Sequence, residues 1–128
     1  MKESPLYTRT YDMLLWLIPT AQKFPRQHRF TLAERIQHTA LDFQAKLVET
    51  GKVRGNYKRQ RLQEADILLA QLRVYVRLAK DLHCLDLRQY EHAARLLTDV
   101  GHLLGAWLQQ LEGTGQRPRA AGRVVEQQ

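Results

Sequence analysis

Several things are scarce or missing in this chain of 128 residues, and each absence narrows what it does. A single cysteine, Cys84, excludes an internal disulfide and points to a reducing compartment. The N-terminus MKESPLYTRT lacks the charged-then-apolar layout of a signal peptide. The longest unbroken apolar run covers residues 13–18, far below the roughly 20 residues that span a bilayer. The expectation is a cytoplasmic protein with no membrane partner.

Chemistry is equally thin. The histidines at 28, 38, 83, 92 and 102 form no metal-ligand spacing with Cys84, and adjacent His83 and Cys84 do not readily converge on one ion from an extended link. Glu64 and Asp66, two apart on a helix, point in different directions. No ExxH, GxSxG, GxxxxGK[ST] or GxGxxG occurs. The reading is a binding protein, with no catalytic residue, no metal and no cofactor. No row of aromatics interleaves with the basic residues, so a stacking platform for single strands is not expected.

What is present is helix and positive charge. Residues 57–82 contain neither Pro nor Gly, and Leu62, Ala65, Leu69, Leu72, Val76 and Ala79 recur at steps of three and four. That is the seam of a helix packed on other helices, about 38 Å long at 1.5 Å per residue. Ser4-Pro5 reads as an N-cap and first turn of an earlier helix, whose expected buried side is Tyr7, Tyr11, Leu14, Leu15 and Ile18, widened by Met13, Trp16 and Leu17, with a kink at Pro19. Phe24 to Phe30 is expected to connect it to a second helix, begun by a Thr31-Leu32-Ala33-Glu34 capping box and closed near Thr50 by Gly51. Asn56 is expected to cap the third helix, and Asp86-Leu87-Arg88-Gln89 a fourth. Short connections imply antiparallel neighbours. The expected fold is all-α, an up-and-down antiparallel four-helix bundle over residues 1–112, followed by a flexible basic C-terminal tail over 113–128.

The fourth helix carries two apolar stripes. One is Tyr90, Ala94, Leu97, Gly101, Leu104, Leu108 and Leu111; the other is Ala93, Leu96, Val100, Leu103 and Trp107. Two stripes mean cover from two directions, either deep inside the monomer or by another subunit. The second choice makes Leu96, Val100, Leu103 and Trp107 an oligomer interface, with the Gly101-x-x-x-Gly105 spacing admitting a second backbone.

The net charge of +7 is concentrated: residues 52–80 hold eight basic side chains against two acidic, a surplus of six. Such a patch fits a polyanion, nucleic acid before membrane, or else a solvated face that keeps the protein soluble. Arg73 and Arg77 are four apart, about 6 Å along the axis, a spacing close to that of neighbouring phosphates. Guanidinium groups grip phosphate as a bidentate fork. Arg54, Lys58, Arg59 and Arg61 add charge at one end of this helix and Lys80 at the other. Backbone contacts without much base reading are expected.

Several motifs then line up. Leu17-Ile18-Pro19-Thr20-Ala21-Gln22 is followed by Phe24-Pro25-Arg26-Gln27-His28; Glu64-Ala65-Asp66 leads into Leu72-Arg73-Val74-Tyr75-Val76-Arg77-Leu78-Ala79; Tyr90 precedes Val100-Gly101-His102-Leu103-Leu104-Gly105-Ala106-Trp107. Over residues 7–108 the chain resembles the accessory variability determinant (Avd) family of diversity-generating retroelements. That family lies within the wider four-helix-bundle group encoded by ribosomal RNA intervening sequences. Gly105-Ala106-Trp107 stands where the family often has Gly-Gly-Trp. The resemblance implies a homopentameric ring and a non-enzymatic partner of a retroelement reverse transcriptase, supporting mutagenic cDNA synthesis on template RNA. It implies that Arg73 and Arg77, and secondarily Arg26, meet RNA, DNA or the polymerase. The alternative is an oligomeric RNA-associated scaffold of the intervening-sequence type with no polymerase partner.

Overall fold

Ser4 and Pro5 begin the first helix as their chemistry dictates. In the computed structural model, which describes the backbone of residues 4–120 and the side chains of 4–112, α1 (Pro5–Gln22) opens with the Ser4 hydroxyl accepting from the Leu6 amide at 3.2 Å. Pro19 lies within α1 and does not end it. Proline has no amide proton to donate, and one residue on the Thr20 hydroxyl donates to the Trp16 carbonyl at 2.7 Å. The buried side is Leu6, Thr10, Met13, Leu14, Leu17 and Ala21. The face expected to be buried is therefore corrected: Tyr11 and Leu15 are exposed. Residues 13–18 are all apolar, so the run has no direction of its own.

The link to the second helix is also shorter than expected. From Arg26 the chain already coils, first as a 3-10 turn (Arg26–His28), then as a π-helical turn (Arg29–Ala33), then as α2 (Glu34–Thr50). The capping box at Thr31 does not form, and α2 has no side-chain cap. Its first amides need none, because the preceding turn supplies carbonyls, the Glu34 amide bonding that of Thr31. Gly51 closes α2 at φ −75°, without the left-handed cap. Its lack of a side chain matters because the Tyr7 hydroxyl comes within 3.3 Å of where a Cβ would sit, donating to the Leu47 carbonyl at 3.1 Å. The left-handed residue of this turn is Gly55, at φ +62°.

Gly55 begins α3 (Gly55–Asp81), whose buried residues are Leu62, Ala65, Leu69, Leu72, Val76 and Ala79, the expected seam. Asn56 is not its cap; that position falls to Arg54, and the Asn56 side chain accepts from Arg59 at 3.3 Å. At the far end His83 adopts φ 65°, while the Cys84 amide reaches back to the Ala79 carbonyl at 2.7 Å and the His83 amide to Lys80 at 3.0 Å. This is a Schellman closure with histidine where glycine is usual. Left-handed backbone costs a β-carbon-bearing residue about 1–2 kcal/mol. The His83→Gly variant should accordingly be more stable by about 1 kcal/mol, read as a raised midpoint in urea unfolding.

The final helix, α4 (Leu87–Ala120), starts with the expected capping box. The Asp86 carboxylate accepts from the Gln89 amide at 2.7 Å, and the Gln89 side chain accepts from the Asp86 amide at 3.0 Å. Ala93, Leu97, Val100 and Leu104 are buried, drawn from both expected stripes. The two stripes are the edges of one wide apolar arc. Its backbone helix runs past Gly113 to Ala120, and residues 121–128 of the expected tail lie outside the described residues.

Each helix packs on the next and α4 closes on α1, so the described residues form an all-helical four-helix bundle. Trp16 meets His92 edge-on at 4.8 Å, Arg9 reaches Asp99 at 3.4 Å, and Tyr7 meets Trp107 edge-on at 5.7 Å. Leu96 and Leu103 share this α1-facing side by their helical spacing. No helix among the described residues is long and apolar enough to cross a membrane.

Candidate nucleic-acid and partner interface

The expected basic residues fall along α3 and at both ends of the bundle. Arg61 is neutralised between helices: its Nε sits 2.9 Å from Glu49, and Lys46 bridges Glu49 and Glu64 at 3.7 and 3.2 Å. Lys80 pairs with Asp81 at 3.5 Å and lies 4.8 Å from the Tyr90 ring centre. Lys58 covers Trp107 at 5.6 Å, and Arg59 donates to the Leu111 carbonyl at 3.4 Å. These four tie helices together as much as they present charge.

Arg73 and Arg77 differ from them. Both are exposed on α3, and no ion pair engages either among the described residues. Arg73 lies beside a small cleft lined by Val76, Tyr90, Ala94, Leu97 and Thr98. Its guanidinium packs directly over Gly101, where any Cβ would collide with it. Within the chain the open side of Gly101 is taken up by the tip of this arginine; at Gly105 nothing lies within 4 Å of where a Cβ would sit. Arg26, in the 3-10 turn, and Arg54, before α3, are exposed too. The eight cations thus do not form one patch: Arg59 and Lys80 are separated by about 32 Å of helix. The unpaired, positioned part is Arg73 with Arg77.

The expected oligomer residues also sort. Val100 is fully buried inside the chain, so it belongs to the monomer core. Leu96, Leu103 and Trp107 are half-buried and pack against that core. Other exposed apolar side chains lie elsewhere. Ile67 and Val74, seven apart on the outer side of α3, are 59 % and 62 % exposed. Tyr11 and Val48 border one groove between α1 and α2, with Leu15 and Leu41 exposed on the same helices.

Sequence patterning gives no hint of Phe30. It stands in the π-helical turn, 78 % exposed, beside a groove of about 560 Å³ that His28, Arg35, His38, Tyr75, Leu78 and Leu82 also line. It belongs to no periodic stripe; the only signal is a phenylalanine between Arg29 and Thr31. Burial pushes the Cys84 thiol above its ordinary pKa, the opposite of what a nucleophile needs. Among the described residues no group of three His, Cys, Asp or Glu is placed to hold a metal.

A family model described as bAvd-like matches residues 6–111, spanning all four helices. The chain belongs to the bAvd-like family. No curated protein matches it. The Avd family is an accessory, non-catalytic one, and the match takes in Arg73 and Arg77 with the glycine under the tip of the first of them.

Proposed function

We propose that this chain is a cytoplasmic accessory protein of a diversity-generating retroelement that binds the reverse transcriptase and its template RNA or cDNA. The observation that carries the reading is the exposed, unpaired Arg73–Arg77 pair on α3 of an Avd bundle. Two guanidinium groups one turn apart grip a phosphate backbone without reading bases. Arg26 and Arg54 extend the field toward the two ends.

The protein works as an assembly of its own copies, in the five-membered ring that the Avd resemblance implies. Ile67 and Val74 of one copy meet the α1–α2 groove of the next, around Tyr11, Leu15, Leu41 and Val48. Two different faces joined head to tail generate a ring when the rotation closes.

Co-purification with the reverse transcriptase encoded nearest to this chain tests the reading. A stable complex with the wild type that is lost in Arg73→Ala/Arg77→Ala places the arginine edge at the working surface. A complex retained by the double variant moves the contact elsewhere on an Avd protein. No complex, even with template RNA supplied, leaves an RNA-associated scaffold of the intervening-sequence type.

A further inference from the structure

We infer that the groove beneath Phe30 is a subsite for an unpaired nucleobase, so that the protein holds single-stranded nucleic acid there as well as backbone along α3. This deepens the nucleic-acid reading above and rests on it.

The site is assembled from two elements. The π-helical turn carries Phe30, and α3 supplies Tyr75, Leu78 and Leu82 across the groove. Phe30 makes no ring contact among the described residues, and at 78 % exposure its ring is open to a stacking partner. An aromatic left in water on a rigid turn is costly unless something covers it, and π-turns recur at functional sites.

Charge decides what covers it. Arg35, His28, His38 and the acid Glu34 line the same groove, and Arg26 and Arg29 stand in the adjoining turn. Between residues 23 and 38 four Lys or Arg face one acid, Glu34. Arg29 is held in place by donating to the Phe24 carbonyl at 3.3 Å. An open ring flanked by cations is the arrangement that binds single strands: the base stacks while the phosphates meet the positive rim. A duplex keeps its bases stacked inside and has none to offer. Leu78 follows Arg77 directly, so the groove opens on the turn where the arginine pair ends.

The test is fluorescence anisotropy with a labelled oligo(U) 12-mer and a 12-base-pair RNA duplex, using wild type, Phe30→Ala and Phe30→Tyr. Phe30→Ala should bind oligo(U) about five- to a hundredfold more weakly and the duplex within about twofold of wild type. Phe30→Tyr should restore oligo(U) binding, and circular dichroism should be unchanged because the side chain is exposed. Wild-type oligo(U) affinity in Phe30→Ala would overturn the subsite and leave the arginine reading standing. So would equal loss of both RNAs. Unchanged RNA binding with loss of reverse-transcriptase co-purification would make the groove a protein-docking site instead. A wild type that binds neither RNA would overturn the nucleic-acid reading and the subsite together.

Discussion

The Arg73→Ala/Arg77→Ala double variant should bind RNA about ten- to a hundredfold more weakly than wild type at low salt, from two lost charge-assisted contacts. Its salt dependence should flatten as well. Each phosphate contact releases counterions, so each lost arginine lowers the slope of log affinity against log salt by about one. The fold should not suffer, because both side chains are exposed and unpaired and surface changes usually stay within about 0.5 kcal/mol. Arg73→Lys/Arg77→Lys separates charge from geometry: the slope stays while affinity falls part-way, since lysine is a point charge without the fork. Affinity measured at several salt concentrations reads all of this. A double variant with wild-type affinity and slope would remove the arginine pair from the interface.

The tip of Arg73 lies over Gly101 of α4. Spacing along α3 alone reveals that Arg73 and Arg77 share a side. It does not reveal that the tip of one of them lies over a glycine of another helix. The same limit explains Arg61. Its charge is visible in the chain, but its partner Glu49 comes from α2, and only packing brings them to 2.9 Å.

Other parts of the fold are legible because a single local rule governs them. The buried seam of α3 follows from six apolar positions at helical steps with no breaker between them. The Asp86–Gln89 box and the Ser4 cap form because each is satisfied within one turn of chain. Where two rules compete, reading fails. Thr31 and Glu34 have capping-box spacing, yet the chain enters α2 already coiled from Arg26, which removes the orphan amides a cap would serve. In α1 the apolar run of 13–18 covers every direction, so the buried side is set by Leu6 and Thr10 before it and Ala21 after it. In α4 two stripes suggest two neighbours, and α3 and α1 of the same chain both pack on that helix. Phe30 carries no periodicity, so only the groove around it sets it apart.

The outer side of α3 leads to the second large effect. In the proposed ring, Ile67→Asp/Val74→Asp should separate the copies into monomers while leaving each bundle folded. The two side chains are exposed and contribute nothing to the core of a single chain. Paired carboxylates at that spot would be buried without partners in an apolar contact, which costs several kcal/mol per contact and multiplies around a ring. Leu69→Ala, two residues from Ile67 but fully buried, should do the reverse, lowering stability by about 2–5 kcal/mol without touching the outer surface. That is a large share of the roughly 5–15 kcal/mol a domain of this size possesses. Light scattering after size exclusion and urea unfolding, run on both variants, separate the two faces. Dissociation of Ile67→Asp/Val74→Asp with an unchanged unfolding midpoint for the monomer makes the outer side of α3 the assembly face. An oligomer that survives both aspartates returns the contact to the half-buried Leu96, Leu103 and Trp107 along the α1–α4 side. In the function proposed above, one helix serves the fold with its inner seam, nucleic acid with its arginine edge and assembly with its outer side, because at 3.6 residues per turn each of those sides repeats independently along its length.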